Sequence, residues 1–329
     1  MTTDLLEELV EARLPWVAPT LREWYDDGAL RGQLATWLTA EADRFENAGF
    51  GSGFRVTLGH EGVTDPFAWA NRRVDLADGG WALTGIRFRG GVVHRPFVEV
   101  VATTAPPTPD GLTVVADAVV PAYAGFNPLC LRVDAPDTSV LIDRLDTDPR
   151  FGEGAVDQHV VAGRVHELRA HARAATYDDV RLRPGKPEPM AARVASIYAA
   201  LGEREPALAM WANPEGEESL AECAEEGLLF EVIAGGAPSG VVAALREDAH
   251  GLRGFTVQEI CLDVPHRGQG LAPAVLQRLA DELPADGGDV LWGTIHPANV
   301  PSLHNALSVG RLLVGGYVWV TPDGLPGMH

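Results

Sequence analysis

The stretch FTVQEICLDVPHRGQGLAPAVLQRLADEL, residues 255–283, constrains the fold more than any other part of the chain. It opens as a strand and closes as a helix with apolar residues at three- and four-residue spacing. Between them lie Gly268 and Gly270, which free the backbone to turn sharply and let another group come close. A strand that runs through such a turn into a helix implies a layered α/β architecture. The first amides of the helix have no internal partners and lie at the positive end of its dipole, which suits a phosphate.

The chain has 329 residues, a length that suggests two domains. To about Asn47 the pattern is helical, in LLEELVEARL and LRGQLATWLTAEADRF. FRVTLGH, WALTGIRFRG, RPFVEVVATT and LTVVADAVV then read as strands, and PLCLRVDAP as another. TSVLIDRLDT reads as a short helix capped by Asp137 or Thr138, and DQHVVAGRVHELRAHARAA starts as a strand. The charged, proline-rich segment TYDDVRLRPGKPEPM marks a boundary, giving domains 1–172 and 173–329. The second part restarts with helices MAARVASIYAAL and EESLAECAEEG. A hairpin across APSG joins LLFEVIAGG to SGVVAALRED. Strand DVLWGTIHP, helix VPSLHNALSVG and strand GGYVWVT follow the glycine turn. Helices packed on a mixed, twisted sheet are expected in each half.

The turn lacks the third glycine of a dinucleotide fingerprint, where Pro273 stands, and the Lys-Ser/Thr of a nucleotide-binding loop. Arg267-Gly268-Gln269-Gly270-Leu271-Ala272 after Leu262-Asp263-Val264-Pro265 instead resembles the signature Arg/Gln-x-x-Gly-x-Gly/Ala of the GNAT superfamily of acyl-CoA-dependent N-acetyltransferases. The resemblance implies that the turn wraps the pyrophosphate of coenzyme A. It also implies that the backbone at Leu262 and Val264 pairs with the pantetheine arm. Asn299-Val300-Pro301-Ser302 resembles the family's second conserved region, with Asn299 and Ser302 flanking that arm. Gly310 is followed by Arg311 rather than the family's aromatic, and Ala306 occupies the place of its tyrosine acid. These motifs cover roughly the last 150 residues. The first half carries Pro121-Ala122-Tyr123-Ala124-Gly125-Phe126 after LTVVADAVV and reads as a degenerate GNAT-like copy.

Acyl transfer to an amine needs a group to take the amine's proton. The resemblance points to Glu259 as that base. Strict alternation puts Glu259, Cys261 and Asp263 on one strand face and Gln258, Ile260, Leu262 and Val264 on the other, so Glu259 is out of phase with the family's base. A β-bulge would restore the phase. His304 is the candidate acid, with Tyr317 behind it. Cys261 reads as a buried structural thiol. The scattered histidines form no ligand-spaced pair, and no metal is expected.

The expected activity is transfer of an acetyl group from acetyl-CoA to a primary amine of a small molecule by direct attack. A non-catalytic acyl-CoA-binding sensor or scaffold is the alternative, as is an acetyltransferase resembling mycothiol synthase. The formal charge of −20 disfavours nucleic acid and anionic membranes and favours a cationic acceptor. Three separated cysteines, no run of about eighteen apolar residues and no basic leader make the cytoplasm the expected location. A homodimer is left open.

Overall fold

The computed structural model describes residues 3–60, 62–204 and 212–328. The chain forms two compact units. One comprises Met1–His159, Ala249–Gly251 and Val314–His329, and the other Val160–Asp248 and Leu252–Leu313. The expected boundary at 172/173 differs from this division. The chain leaves the first unit within strand β5 (Ala155–Arg164) and returns to it within the last strand, β11 (Leu312–Val320).

The first unit opens with helices α1 (Thr3–Arg13), α2 (Pro19–Trp24), α3 (Asp27–Asp43) and α4 (Ala48–Leu58). Strands β1 (Arg72–Asp75), β2 (Trp81–Phe88) and β3 (Pro96–Thr103) are antiparallel neighbours. Helix α5 (Pro109–Ala122) crosses over to β4 (Leu131–Ala135), which lies parallel to β3. Helix α6 (Thr138–Asp146) leads to β5. On its other edge β4 pairs antiparallel with β11, and Val318 and Val320 of β11 join the unit's core.

Two expected strands here are helices. FRVTLGH lies mostly in α4, where the Asn47 side chain caps the first turn and Gly51 approaches the carbonyl of Pro66 too closely for any side chain. LTVVADAVV lies in α5. Thr108 caps it, Pro109 takes the first helical position, and Leu112, Val115, Ala116 and Val119 form one buried stripe. Helical spacing and a cap outweigh the β preference of valine here.

The second unit holds α7 (Val165–Ala170), β6 (Val180–Pro184), α8 (Pro187–Gly202) and α9 (Glu217–Glu225). Strand β6 lies inside the charged, proline-rich segment read as the domain boundary. It pairs with β7 (Leu229–Ala234), which pairs with β8 (Ala237–Arg246), and β8 with β9 (Gly254–Leu262), all antiparallel. The β7–β8 turn is at Gly235 and Gly236, both at positive φ, rather than at APSG. Helix α10 (Leu271–Glu282) crosses over to β10 (Val290–Ile295), parallel to β9, and α11 (Val300–Ser308) follows. Leu271, Ala274, Val275, Leu276, Leu279 and Ala280 bury one face of α10 against Phe255, Leu262 and Leu291. Each large side chain among them contributes roughly 1.5–3 kcal/mol. Helices α8 and α9 cover the opposite face over Leu229, Val241, Ala243 and Cys261. Both units thus repeat one order: antiparallel strands (three in the first unit, four in the second), a crossover helix, a parallel strand and a helix.

Candidate active site

Strands β9 and β10 are paired only at Gly254–Val290, Phe255–Leu291 and Thr256–Trp292. Beyond that β9 runs on to Leu262 and β10 to Ile295, so the two strands part into a gap. The amide of Asp263 donates to the Ser239 carbonyl, toward β8. Backbone groups alternate in direction along a strand, so those of Ile260 and Leu262 point toward the gap.

A bulge lies in β9. Ala243 of β8 faces Glu259 and Ala244 faces Val257, which leaves Gln258 as the extra residue. The bulge shifts the side-chain phase. Phe255 and Val257 before it, and Ile260 and Leu262 after it, pack on the α10 side. Glu259 and Cys261 face α8 and α9 instead, where Cys261 is buried. Glu259 is 4% exposed. Its carboxylate accepts from the Tyr198 hydroxyl of α8 at 3.2 Å and from the Glu215 amide at 3.4 Å. Burial pushes its carboxyl from 4.5 up to about 7, against the pull of those two hydrogen bonds. A carboxyl so tuned is half ionised near neutral pH and suits proton abstraction. Tyr198 and Glu215 were not singled out by sequence, since neither lies in a motif.

The glycine turn stands at the open end of the gap. Gly268 and Gly270 have φ of +71° and +72°, and a Cβ on either would meet nothing within 4 Å. Gly270 is the N-cap of α10 with no side-chain cap hydrogen bond to the helix amides, and the Thr176 hydroxyl donates to its carbonyl at 2.7 Å. Positive φ, open space and a bare helix N-terminus fit a diphosphate. Other groups in the motif are engaged locally. Arg267 is exposed but donates its Nε to the Leu262 carbonyl at 2.8 Å, and Gln269 donates to the Pro265 carbonyl at 2.7 Å. Val264 opens a short 3-10 turn rather than extending β9. Leu271 is buried in the core and Ala272 packs beside it.

Asn299 caps α11, its Oδ1 accepting from the Ser302 amide at 3.2 Å. His304 is exposed on that helix, while Asn305 and Ala306 are buried. Tyr317 lies in the first unit, partly buried beside Asp134 and Arg132, and desolvation raises its phenol well above the usual range. Arg311, after α11, is 3% exposed and donates to the Val161 carbonyl at 2.9 Å. Burial lowers its guanidinium to about 9.

The matching gap of the first unit is filled by the chain itself. Strands β3 and β4 pair from Val98 to Val100 and then part. Arg13 donates to the carbonyl of Asp134 at 3.5 Å and to its carboxylate at 2.9 Å. Trp16 donates its indole N–H to the carbonyl of Ala105, just past β3, at 3.1 Å. The turn into α5 is therefore residues 104–108, not Pro121–Phe126, which fall at the end of α5. Pro106 and Pro107 stand in it, and neither has an amide to offer.

No family model and no curated protein matches the chain. Solved structures do. A GCN5-related N-acetyltransferase from Sphaerobacter thermophilus aligns with a TM-score of 0.51 at 14% identity, over 85% of this chain and 92% of that one. A GNAT-family acetyltransferase from Colwellia psychrerythraea aligns over 74% of this chain and 81% of its own, at 13% identity and a TM-score of 0.47. The Sphaerobacter likeness shows that the chain has the fold of these acetyltransferases.

Proposed function

We propose that this chain, which has the GNAT fold, moves an acyl group from an acyl-CoA thioester to a primary amine in its second unit. The observation that carries the reading is Glu259: a buried carboxyl tuned to about 7 at the bulge where β9 and β10 part. The donor supplies an activated carbonyl carbon and a thiolate leaving group, with acetyl-CoA the simplest case. The bare end of α10 and the amides around Gly268 and Gly270 bind the diphosphate. The backbone of Ile260 and Leu262 lines the arm. Glu259 takes the proton that the amine gives up as its nitrogen bonds to the acyl carbon and the carbon–sulfur bond breaks. Tyr198 and the Glu215 amide hold that carboxylate in place. The exposed His304 has no part in this scheme. The acceptor is a small amine, and the net charge of −20 favours a cationic one.

The test is thiol release from acetyl-CoA in the presence of a broad panel of primary amines. Amine-dependent release, lost in Glu259→Gln while coenzyme A still binds, is the expected result. Binding without turnover for any amine would contradict the enzymatic reading and favour an acyl-CoA sensor.

A further inference from the structure

We infer that Arg311 reads the acyl group, and that the preferred donor is a thioester whose acyl chain ends in a carboxylate. The inference rests on the acyl-CoA reading above and names its donor class. Arg311 stands where the sequence lacks the aromatic expected after Gly310. Its guanidinium is almost wholly buried and makes one hydrogen bond, to a backbone carbonyl. Its Nε has no partner, and among the described residues no carboxylate pairs with it. Arg13, the other buried arginine among the described residues, is paired with Asp134, and the partly buried Arg132 with Glu99 and Asp157. Removing a cation from water without a counter-charge is costly, so this one stands as half of an ion pair.

Its position gives the other half. Gly293 is the first residue of β10 beyond the last pair with β9, and Val257 is the first of β9. A Cβ on Gly293 would lie 3.2 Å from Nη2 of Arg311 and 3.8 Å from the carbonyl oxygen of Val257. The guanidinium therefore lies over the closed end of the gap on the face of the Val257 side chain, the α10 face, opposite the face that presents Glu259. An acyl carbon in the gap that meets an amine on the Glu259 face can carry its chain through to the Arg311 face. A methyl group there leaves Arg311 unpaired, whereas a carboxylate two or so carbons further on meets it, and a planar guanidinium can take a carboxylate through two parallel hydrogen bonds.

The experiment is calorimetric titration of the full chain with coenzyme A, acetyl-CoA and succinyl-CoA, repeated for Arg311→Met and Arg311→Lys. Succinyl-CoA is expected to bind at least about tenfold more tightly than acetyl-CoA. Arg311→Met should erase that difference without changing the affinity for free coenzyme A, and Arg311→Lys should keep part of it. Equal affinities for the two thioesters in the unaltered protein, or a preference that survives Arg311→Met, would overturn the donor class while leaving the acyl-CoA reading intact. Failure of all three ligands to bind would overturn that reading and this inference together. The comparison of donors on the unaltered protein stands even where a variant does not fold.

Discussion

Glu259 shows how a residue's chemistry depends on what packs over it. Its type, its position on a strand and its face relative to Ile260 and Leu262 were legible in the sequence; what covers that face was not. Alternation set Glu259 with Cys261, opposite Ile260 and Leu262, and the structure keeps that division; the extra residue Gln258 shifts the phase only of the residues before it, and α8 and α9 cover the Glu259 face. Nothing in the composition of VQEIC announces a bulge. Two outcomes follow. The rate is expected to rise with pH through an acid limb near 7, as the carboxyl loses its proton. Glu259→Gln should lower it by roughly 10²–10⁴-fold. Stability should move the other way. Below 4.5 the group is protonated whether the chain is folded or not. Between 4.5 and about 7 the folded chain keeps a proton that the unfolded chain releases, so stability falls as pH rises through that window. The loss is complete above it, on the order of 3 kcal/mol, and chemical denaturation at pH 5 and pH 8 would show it shrink in Glu259→Gln. A second residue-scale outcome concerns Arg132, which donates to Glu99 at 2.5 Å and to Asp157 at 3.0 Å. Arg132→Met leaves the buried Glu99 without its ion-pair partner and Asp157 with Arg89 alone at 3.6 Å, and should cost roughly 3–5 kcal/mol in the same measurement.

The elements were read best where spacing and caps agreed. Helices α1, α3, α8, α10 and α11 stand where apolar periodicity set them, and Asp137 caps α6 as expected. Strands β2, β3, β7, β8, β9, β10 and β11 also stand where their β-rich runs lie. The misreadings have a common cause. In FRVTLGH and LTVVADAVV, valine and threonine were weighed as β formers, while the helix signals lay upstream. Asn47 caps α4, and Thr108-Pro109 opens α5. Strand β6 was hidden by its prolines and charges, because only Val180 of its five residues is fully buried and an edge strand needs little apolar surface. The filled gap of the first unit was beyond sequence reasoning, since Trp16 meets Ala105 across 89 residues. Trp16→Ala removes a core side chain and that hydrogen bond, and should cost about 3–5 kcal/mol by thermal or chemical unfolding. It should leave coenzyme A affinity unchanged, because the proposed site lies in the second unit.

At the scale of the whole molecule, the repeated order of elements was visible in the sequence, but the ownership of the last strands was not. Each half of the sequence ends in a strand that the two-unit division assigns, in part or almost entirely, to the other unit. Residues 160–164 of β5 belong to the second unit, and residues 314–320 of β11 to the first. A cut at 172/173 therefore takes from the first fragment the strand that pairs with β4 and supplies Val318 and Val320 to its core. Fragments 1–172 and 173–329 made separately are expected to lack cooperative unfolding transitions, and a sharp transition in either alone would contradict this account of the units. The central claim is that the second unit holds an acyl-CoA at the turn opening α10. Its most direct measurement is calorimetric titration of the full chain with acetyl-CoA, alongside Gly270→Asp. That variant puts a carboxylate where the diphosphate would lie, at a residue whose φ is +72° and whose surroundings are open. The account predicts micromolar binding to the unaltered protein and none to a variant that still unfolds cooperatively. Absence of binding in the unaltered protein, or equal binding in the two, would contradict it.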